Sequence, residues 1–330
     1  MRNNVFLFWL KNARHVALPQ SLLPALVAIG LAYSSPDFSW ILAILAILGV
    51  AFGHLGINLW DDYFDYKKDQ QGIRDRLNSN GIRARTAKCS YLHSEAATPK
   101  QLFFAASFFC VLALLIGAFV FAQRGVFILI ISLITALLGF CYSAPPFRFS
   151  YHGLGEVVIG LVFGPLLMAG VYLSACGTLS AQLLFISVPI GLLVANIVYT
   201  HSVIDFEADK HLNKKTLAIL LEKKKRVNVA SFLFIFLPFL IIGAGIFLNI
   251  LSIGYALVFI ILHLAIYLFR IILLFQNKHP KKIQPQWWMG AMENWEKIES
   301  VGIDWFMIRW YLARNLLVFF CIIIVIISLL

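Results

Sequence analysis

The chain has 330 residues, 61% of them hydrophobic and 13% charged, with a mean hydropathy of +0.84. A water-soluble domain is nearer half apolar and a quarter charged, so the composition excludes an ordinary soluble fold and describes an integral membrane protein. The net charge of +11 is compatible with either a nucleic-acid surface or lipid-facing loops, and its placement decides between them.

Nine apolar segments follow one another at 16–34, 39–60, 101–122, 125–142, 154–173, 181–203, 229–249, 252–275 and 311–330. Most approach the roughly 20 residues a helix needs to cross about 30 Å of hydrocarbon. The expected fold is all-α, a polytopic bundle of nine transmembrane helices forming one domain over 1–330. The first segment lacks a small-residue cleavage site and runs at once into a second, which favours a retained span over a cleaved signal. Arg2, Lys11 and Arg14 precede the first span. Further basic residues follow the second span (Lys67 to Lys100), the fourth (Arg148), the sixth (Lys210 to Arg226) and the eighth (Lys278 to Arg314), while Arg124 falls on the opposite side. Short loops rich in Lys and Arg stay cytoplasmic. The N-terminus is therefore expected inside and the C-terminus outside, in a cell (inner) membrane. The charge reads as a topology signal beside anionic lipid, and nucleic-acid binding, which would interleave it with stacking aromatics, is set aside. Cys89, Cys110, Cys141, Cys176 and Cys321 have neither metal spacing nor an outer pair, so they read as free thiols.

Two acidic stretches stand at span ends on the same side. The first, "NLWDDYFDYKKD", follows the second span, and "HSVIDFEADKHLNKKT" closes the sixth. If helical turns continue into them, Asp62, Asp65 and Asp69 at i, i+3 and i+7 share a face, as do Asp205 and Asp209 at i, i+4. Asp61 points about 100° away as an auxiliary member. A solvated span end is the bland alternative for the first stretch; a second pair four spans later favours a composite site. Facing carboxylates repel unless protonated or counter-charged, and a divalent cation is the economical counter-charge. Mg2+ held by Asp keeps positions open for phosphate oxygens. With Lys67, Lys68, Lys210, Lys214 and Arg148 nearby in topology, the expected ligand is a diphosphate whose organic tail enters the apolar bundle. Metal and fixed cations would stabilise charge on the leaving group.

These stretches, together with "CYSAPPFRFSYHGLGEVVIGLVFGPLLMAGVYL", resemble the UbiA superfamily of intramembrane prenyltransferases, with most likeness to the 1,4-dihydroxy-2-naphthoate prenyltransferases of menaquinone synthesis. The resemblance covers about residues 15 to 275. It implies Mg2+-dependent transfer of a polyprenyl group from prenyl diphosphate to an aromatic acceptor. It assigns Asp62, Asp65, Asp69, Asp205 and Asp209 to the metal and diphosphate. It further implies that Asn58 supports the first cluster, Lys214 contacts diphosphate, and Arg148 and Tyr142 stand beside the pocket. For a dihydroxynaphthoate acceptor the carboxylate carbon is replaced with loss of carbon dioxide.

Each supporting residue has a plainer reading beside this one. Asn58 could satisfy a kinked backbone, Arg148 could be a positive-inside residue, and Tyr142 an interfacial aromatic. Glu156 opens the fifth span, where an ionisable group is costly unless it faces a polar interior; it either shapes the acceptor pocket or is structurally paired. His201 either contacts the acceptor or orients the second aspartate pair. The departures from the family pattern are Asp61, His201, Ile204 and Asn213. The expected organisation has active-site loops at 61–100 and 204–228 and an interfacial or capping segment at 278–310, rich in Trp and Phe. Partners are the two substrates and membrane lipids, with no obligatory protein partner. The alternatives are another acceptor, such as 4-hydroxybenzoate or a lipid alcohol, and a phosphate-lipid transporter.

Overall fold

A computed structural model describes residues 5–68, 89–211, 213–277 and 282–330. Among them, nine long helices run in chain order as α1 (Pro19–Ala32), α2 (Trp40–Lys68), α3 (Pro99–Arg124), α4 (Val126–Cys141), α5 (Gly155–Cys176), α6 (Ala181–Ile204), α7 (Lys224–Phe247), α8 (Ile253–Gln276) and α9 (Asp304–Leu329). No named strand occurs among the described residues. All but α4, which has 16 residues, are long and apolar enough to cross a membrane, α1 together with the short turn before it. The order matches the nine segments read from hydropathy.

Local sequence explains several boundaries. Thr98 and Gln101 form a reciprocal capping box at the start of α3, with Pro99 in the first turn. Gly125, at φ +82°, is the single residue between α3 and α4 and turns the chain sharply back. The helix of α2 continues through the acidic motif to Lys68, so Asp62 and Asp65 stand one turn apart. At the end of α6, Asp205 leaves helical geometry and a short helix, Phe206–His211, follows. The Asp209 N–H donates to the Asp205 carbonyl at 2.8 Å, which preserves one-turn spacing across that junction. The last helix begins at Asp304, ahead of the apolar run at 311, because Trp305 stacks on Phe275 of α8 with ring centroids 5.6 Å apart and holds the polar turns in place.

In the bundle α2 lies along α3, α6 along α7, and α1 packs with α5 and α9. Apolar side chains such as Phe104, Leu115, Leu240 and Ile260 point outward, as lipid contact requires. The loops after α4 and α6 meet at one end through a bridge between His152 and Lys215. At the other end the Arg124 guanidinium donates to the carbonyls of Asp37, Ser174 and Ala175 at 2.9–3.0 Å. It thereby closes α3 against α5 and the α1–α2 turn.

The α5–α6 contact relies on small residues. In α5 a π-helical turn, Val162–Leu166, contains Pro165, and such turns re-aim a helix face. Here Gly164 abuts Gly191 of α6 so closely that an added Cβ would sit 2.5 Å from the Gly191 Cα and the Ser187 carbonyl oxygen. Close backbone approach of this kind is how apolar helices associate in lipid. Gly164→Leu is therefore expected to destabilise the bundle by about 3 kcal/mol, seen as a lowered thermal midpoint and less monodisperse protein in detergent.

Candidate active site

The first aspartate group is held by partners from three parts of the chain. Arg14 adopts a left-handed conformation, φ 60° and ψ 47°, just after the N-terminal helix Val5–Asn12. From there its guanidinium donates to Asp61 Oδ2 at 3.0 Å, Asp62 Oδ1 at 3.1 Å and the Asn58 carbonyl at 2.7 Å. Asn58 in turn donates to the Ala13 carbonyl at 3.0 Å, locking the N-terminal turn onto α2. The other Asp62 oxygen accepts from the Tyr91 hydroxyl at 3.1 Å, and Asp61 accepts from Ser143. Asp65 accepts from the Tyr151 hydroxyl at 2.6 Å. Desolvation opposes the Arg14 charge, but Asp62 and Asp61 outweigh it and carry its pKa above the ordinary guanidinium value. Burial and the Asp62 carboxylate push the Tyr91 phenol well up, which keeps it a donor.

The second group comes from the α6 end. Asp205 and Asp209 are 4% and 3% exposed, comparable with 3% and 5% for Asp62 and Asp65. Four acidic side chains removed from water this far need neutralising partners. One Asp209 oxygen, Oδ1, is buried with no hydrogen-bond partner. Lys214 lies over the Tyr151 ring at 5.8 Å, so Tyr151 reaches both the first aspartate group and the second loop. Tyr151→Phe is expected to lower turnover about tenfold by removing one hydrogen bond to a charged group.

One cavity of about 1450 Å3 is lined by both groups. Asn58, Asp61, Asp62, Asp65, Tyr142, His201, Asp205, Asp209 and Lys214 all border it. On α2 its lining runs from Asp65 back to Ala46, a rise of about 28 Å at 1.5 Å per residue. Its walls along α2–α5 are mainly aliphatic, with Trp60, Phe121, Phe140 and Phe163 as the aromatic minority. Lys67 and Lys210 are exposed, Arg148 is half-buried, and none of the three is among the described lining residues. The Lys67 ammonium instead sits 4.4 Å from the Tyr63 ring centre. Glu156 is buried behind the wall and accepts from Ser202, itself a lining residue, at 2.7 Å. Asp69 lies outside the described residues, as does half of the 61–100 loop. All five cysteines are free.

The donor set suits a hard cation. It consists of carboxylate oxygens, and the orphaned Asp209 Oδ1 is an acceptor waiting for a positive partner. Among the described residues no three acidic, His or Cys side chains are already gathered as a closed metal site. Mg2+ takes one or two carboxylates and completes its shell with water and substrate phosphate oxygens. In the substrate-free arrangement Arg14 supplies the counter-charge to Asp61 and Asp62.

The residues that sequence reasoning missed are Arg14, Tyr91, Ser143 and Tyr151. "YSAPPFRFSY" was read for Tyr142 and Arg148, whereas its second tyrosine, Tyr151, is the one that binds Asp65.

A model of the UbiA prenyltransferase family matches residues 21–293. The chain belongs to the UbiA prenyltransferase family. It is 24% identical over 230 residues to a 1,4-dihydroxy-2-naphthoate octaprenyltransferase of Bacillus subtilis, covering 68% of this chain and 69% of that one. It is 29% identical over 225 residues to a 2-carboxy-1,4-naphthoquinone phytyltransferase of Synechocystis, 66% of each. Among solved structures, a UbiA homolog from Archaeoglobus fulgidus bound to GPP and Mg2+ has a TM-score of 0.60 at 19% identity, over 94% of this chain and 99% of that one. A digeranylgeranylglyceryl phosphate synthase has a TM-score of 0.63 at 15% identity, over 97% of each. At those identities the structural likeness establishes the fold. This UbiA-family prenyltransferase is thus an all-α, multi-pass membrane enzyme. Its four described cluster aspartates lie within the matched range, while Arg14 and α9 lie outside it.

Proposed function

We propose that this enzyme transfers a polyprenyl group from prenyl diphosphate to 1,4-dihydroxy-2-naphthoate in an Mg2+-dependent reaction of menaquinone synthesis. The observation that carries this reading is a single cavity in which buried aspartates from α2 and the α6 end border a deep apolar chamber. Such a cavity suits a molecule with an anionic head and a long hydrocarbon tail. The acceptor assignment draws on relatives whose names specify dihydroxynaphthoate or carboxynaphthoquinone, and the metal on a family structure bound to GPP and Mg2+.

Asp62, Asp65, Asp205 and Asp209, with Asp69, would hold Mg2+, which when bound neutralises the departing diphosphate. Lys214, which borders the cavity, adds positive charge to the diphosphate. Tyr91, Tyr151 and Asn58 hold the first aspartate group in position. The donor's carbon–oxygen bond breaks, diphosphate leaves, and the allylic cation is shielded from water by the apolar chamber. The acceptor's carboxylate-bearing ring carbon attacks to form the carbon–carbon bond. The carboxylate then departs as carbon dioxide, and its electron pair restores the aromatic ring. His201, Tyr142 and Glu156 stand on or behind the acceptor side of this chamber. The aspartate end faces the cytoplasm of a cell (inner) membrane, with the C-terminus outside, in agreement with the basic loops.

The test is a mass-spectrometric cross of several prenyl diphosphates with dihydroxynaphthoate, 4-hydroxybenzoate and a lipid alcohol. The expected product is the decarboxylated prenyl naphthalene. Prenylated hydroxybenzoate or prenyl lipid ether alone would replace the acceptor. A donor recovered unchanged on the far side of a vesicle would make the protein a transporter.

A further inference from the structure

The cavity wall changes character beside the second aspartate group. Along α2–α5 it is mainly aliphatic, but here it is formed by His201 of α6, Ile303, Phe306, Met307 and Trp310 from α9 and the turn before it, and Ile298 of the short helix Trp295–Val301. His201 lies one helical turn before Asp205, on the same face and deeper in the bundle. Its ring meets Phe306 edge-on at 4.8 Å and Trp310 at 6.3 Å. If diphosphate sits at the aspartates, the carbon it leaves lies about one turn below them, level with this wall. A second substrate has to meet the donor at that height.

The wall is held rigidly from behind. Arg309, 1% exposed, donates to the carbonyls of Ile271 on α8 and Trp305 on its own helix, and its guanidinium lies 4.9 Å from the Phe275 ring. Further along α9, Tyr311 donates to the Glu293 carbonyl at 2.9 Å, and Asn315 to the Met289 and Ala291 carbonyls at 2.8 and 3.0 Å. Buried polar side chains are expensive in an apolar helix. Spent on backbone carbonyls, these anchor α9 and the segment before it, so the cavity-facing side chains keep a fixed register. α9 lies outside the residues that the family model matches.

We propose that His201, Phe306, Met307 and Trp310 form the acceptor seat, with a planar fused-ring aromatic acceptor lying against the α9 wall while the prenyl tail occupies the α2–α5 chamber. The inference rests on the function proposed above. Flat rings and a polarisable thioether favour stacking and sulfur–aromatic contact with a planar substrate. A flexible lipid alcohol gains no such geometric match, so the wall selects for acceptor class.

The test uses the full-length protein in detergent or nanodiscs and the variants Trp310→Ala, Trp310→Phe and Met307→Ala. Steady-state kinetics are measured with geranyl diphosphate and dihydroxynaphthoate varied in turn, and naphthoate binding is measured by fluorescence with no donor present. Trp310→Ala is expected to raise the acceptor KM and weaken naphthoate binding about tenfold, leaving the donor KM and thermal midpoint unchanged; Trp310→Phe restores most of the loss. A rise in donor KM instead would assign the wall to the prenyl tail, and unchanged naphthoate affinity in Trp310→Ala would remove the seat. Wild-type protein that binds naphthoate at this wall yet prenylates only other acceptors would overturn the proposed function and leave the seat standing. Equal losses in both KM values with a lowered thermal midpoint, unrescued by Phe, would reduce the wall to a structural role and overturn the proposal.

Discussion

Asp209→Asn is expected to lower Mg2+-dependent prenyl transfer by about a hundred- to a thousandfold while leaving the thermal midpoint of the substrate-free protein unchanged or higher. The two halves of that expectation come from the same atom. Asp209 Oδ1 is buried without a hydrogen-bond partner, and a charge held that way costs stability unless a ligand compensates it. Asn has nearly the same shape without the charge, so the substrate-free fold loses nothing by the exchange. The Mg2+–diphosphate complex loses an anionic oxygen. A residue kept for packing would behave oppositely, with stability falling and the rate little changed. Turnover assays beside differential scanning calorimetry, each with and without Mg2+, separate the two. Retained activity in Asp209→Asn would remove this aspartate from the diphosphate site.

Arg14→Gln is expected to act in the reverse direction on stability. Its guanidinium bonds Asp61, Asp62 and the Asn58 carbonyl, and its side chain is 35% exposed. Removing it takes a counter-charge away from two largely buried carboxylates. The substrate-free protein should lose about 1–3 kcal/mol, a figure at the lower side of buried-pair values because solvent reaches the arginine. Mg2+ should then stabilise the variant more than it stabilises the wild type, since Arg14 and the metal compete for Asp62 Oδ1. Thermal midpoints across an Mg2+ titration give both quantities. An equal Mg2+ shift in the two proteins would show that Arg14 does not compete with the metal.

The parts of this enzyme that were legible in the sequence are those set by local periodicity. Nine apolar runs declared the helices, and the i, i+3 and i, i+4 spacing of Asp62, Asp65, Asp205 and Asp209 declared two faces that the structure brings to one cavity. Helix geometry alone carries that information. What was hidden depends on contacts distant in the chain. Arg14 reaches Asp62 only because a left-handed turn redirects the chain after the N-terminal helix, and in the sequence it looked like one more basic residue before a span. Tyr151 reaches Asp65 across 86 positions, and no spacing rule covers such a pair. The segment before α9 showed its amphipathic composition but not its depth. Asn315 and Tyr311 draw its backbone onto α9, and Ile298 and Phe306 thereby become cavity wall. The extra turns of α9 were similarly invisible to hydropathy, because Arg309 is polar by type and buried by virtue of its carbonyl partners.

If the two aspartate groups together hold one metal-bound prenyl diphosphate, diphosphate release and carbon–carbon bond formation must occur together. The most direct measurement follows diphosphate and prenylated product together, from purified protein supplied with geranyl diphosphate and dihydroxynaphthoate, with Mg2+ and again with a chelator. The account predicts equal amounts of diphosphate and decarboxylated product in the presence of Mg2+, and neither in its absence. Product formed at full rate under the chelator, or donor bound and returned with its diphosphate intact, would contradict it.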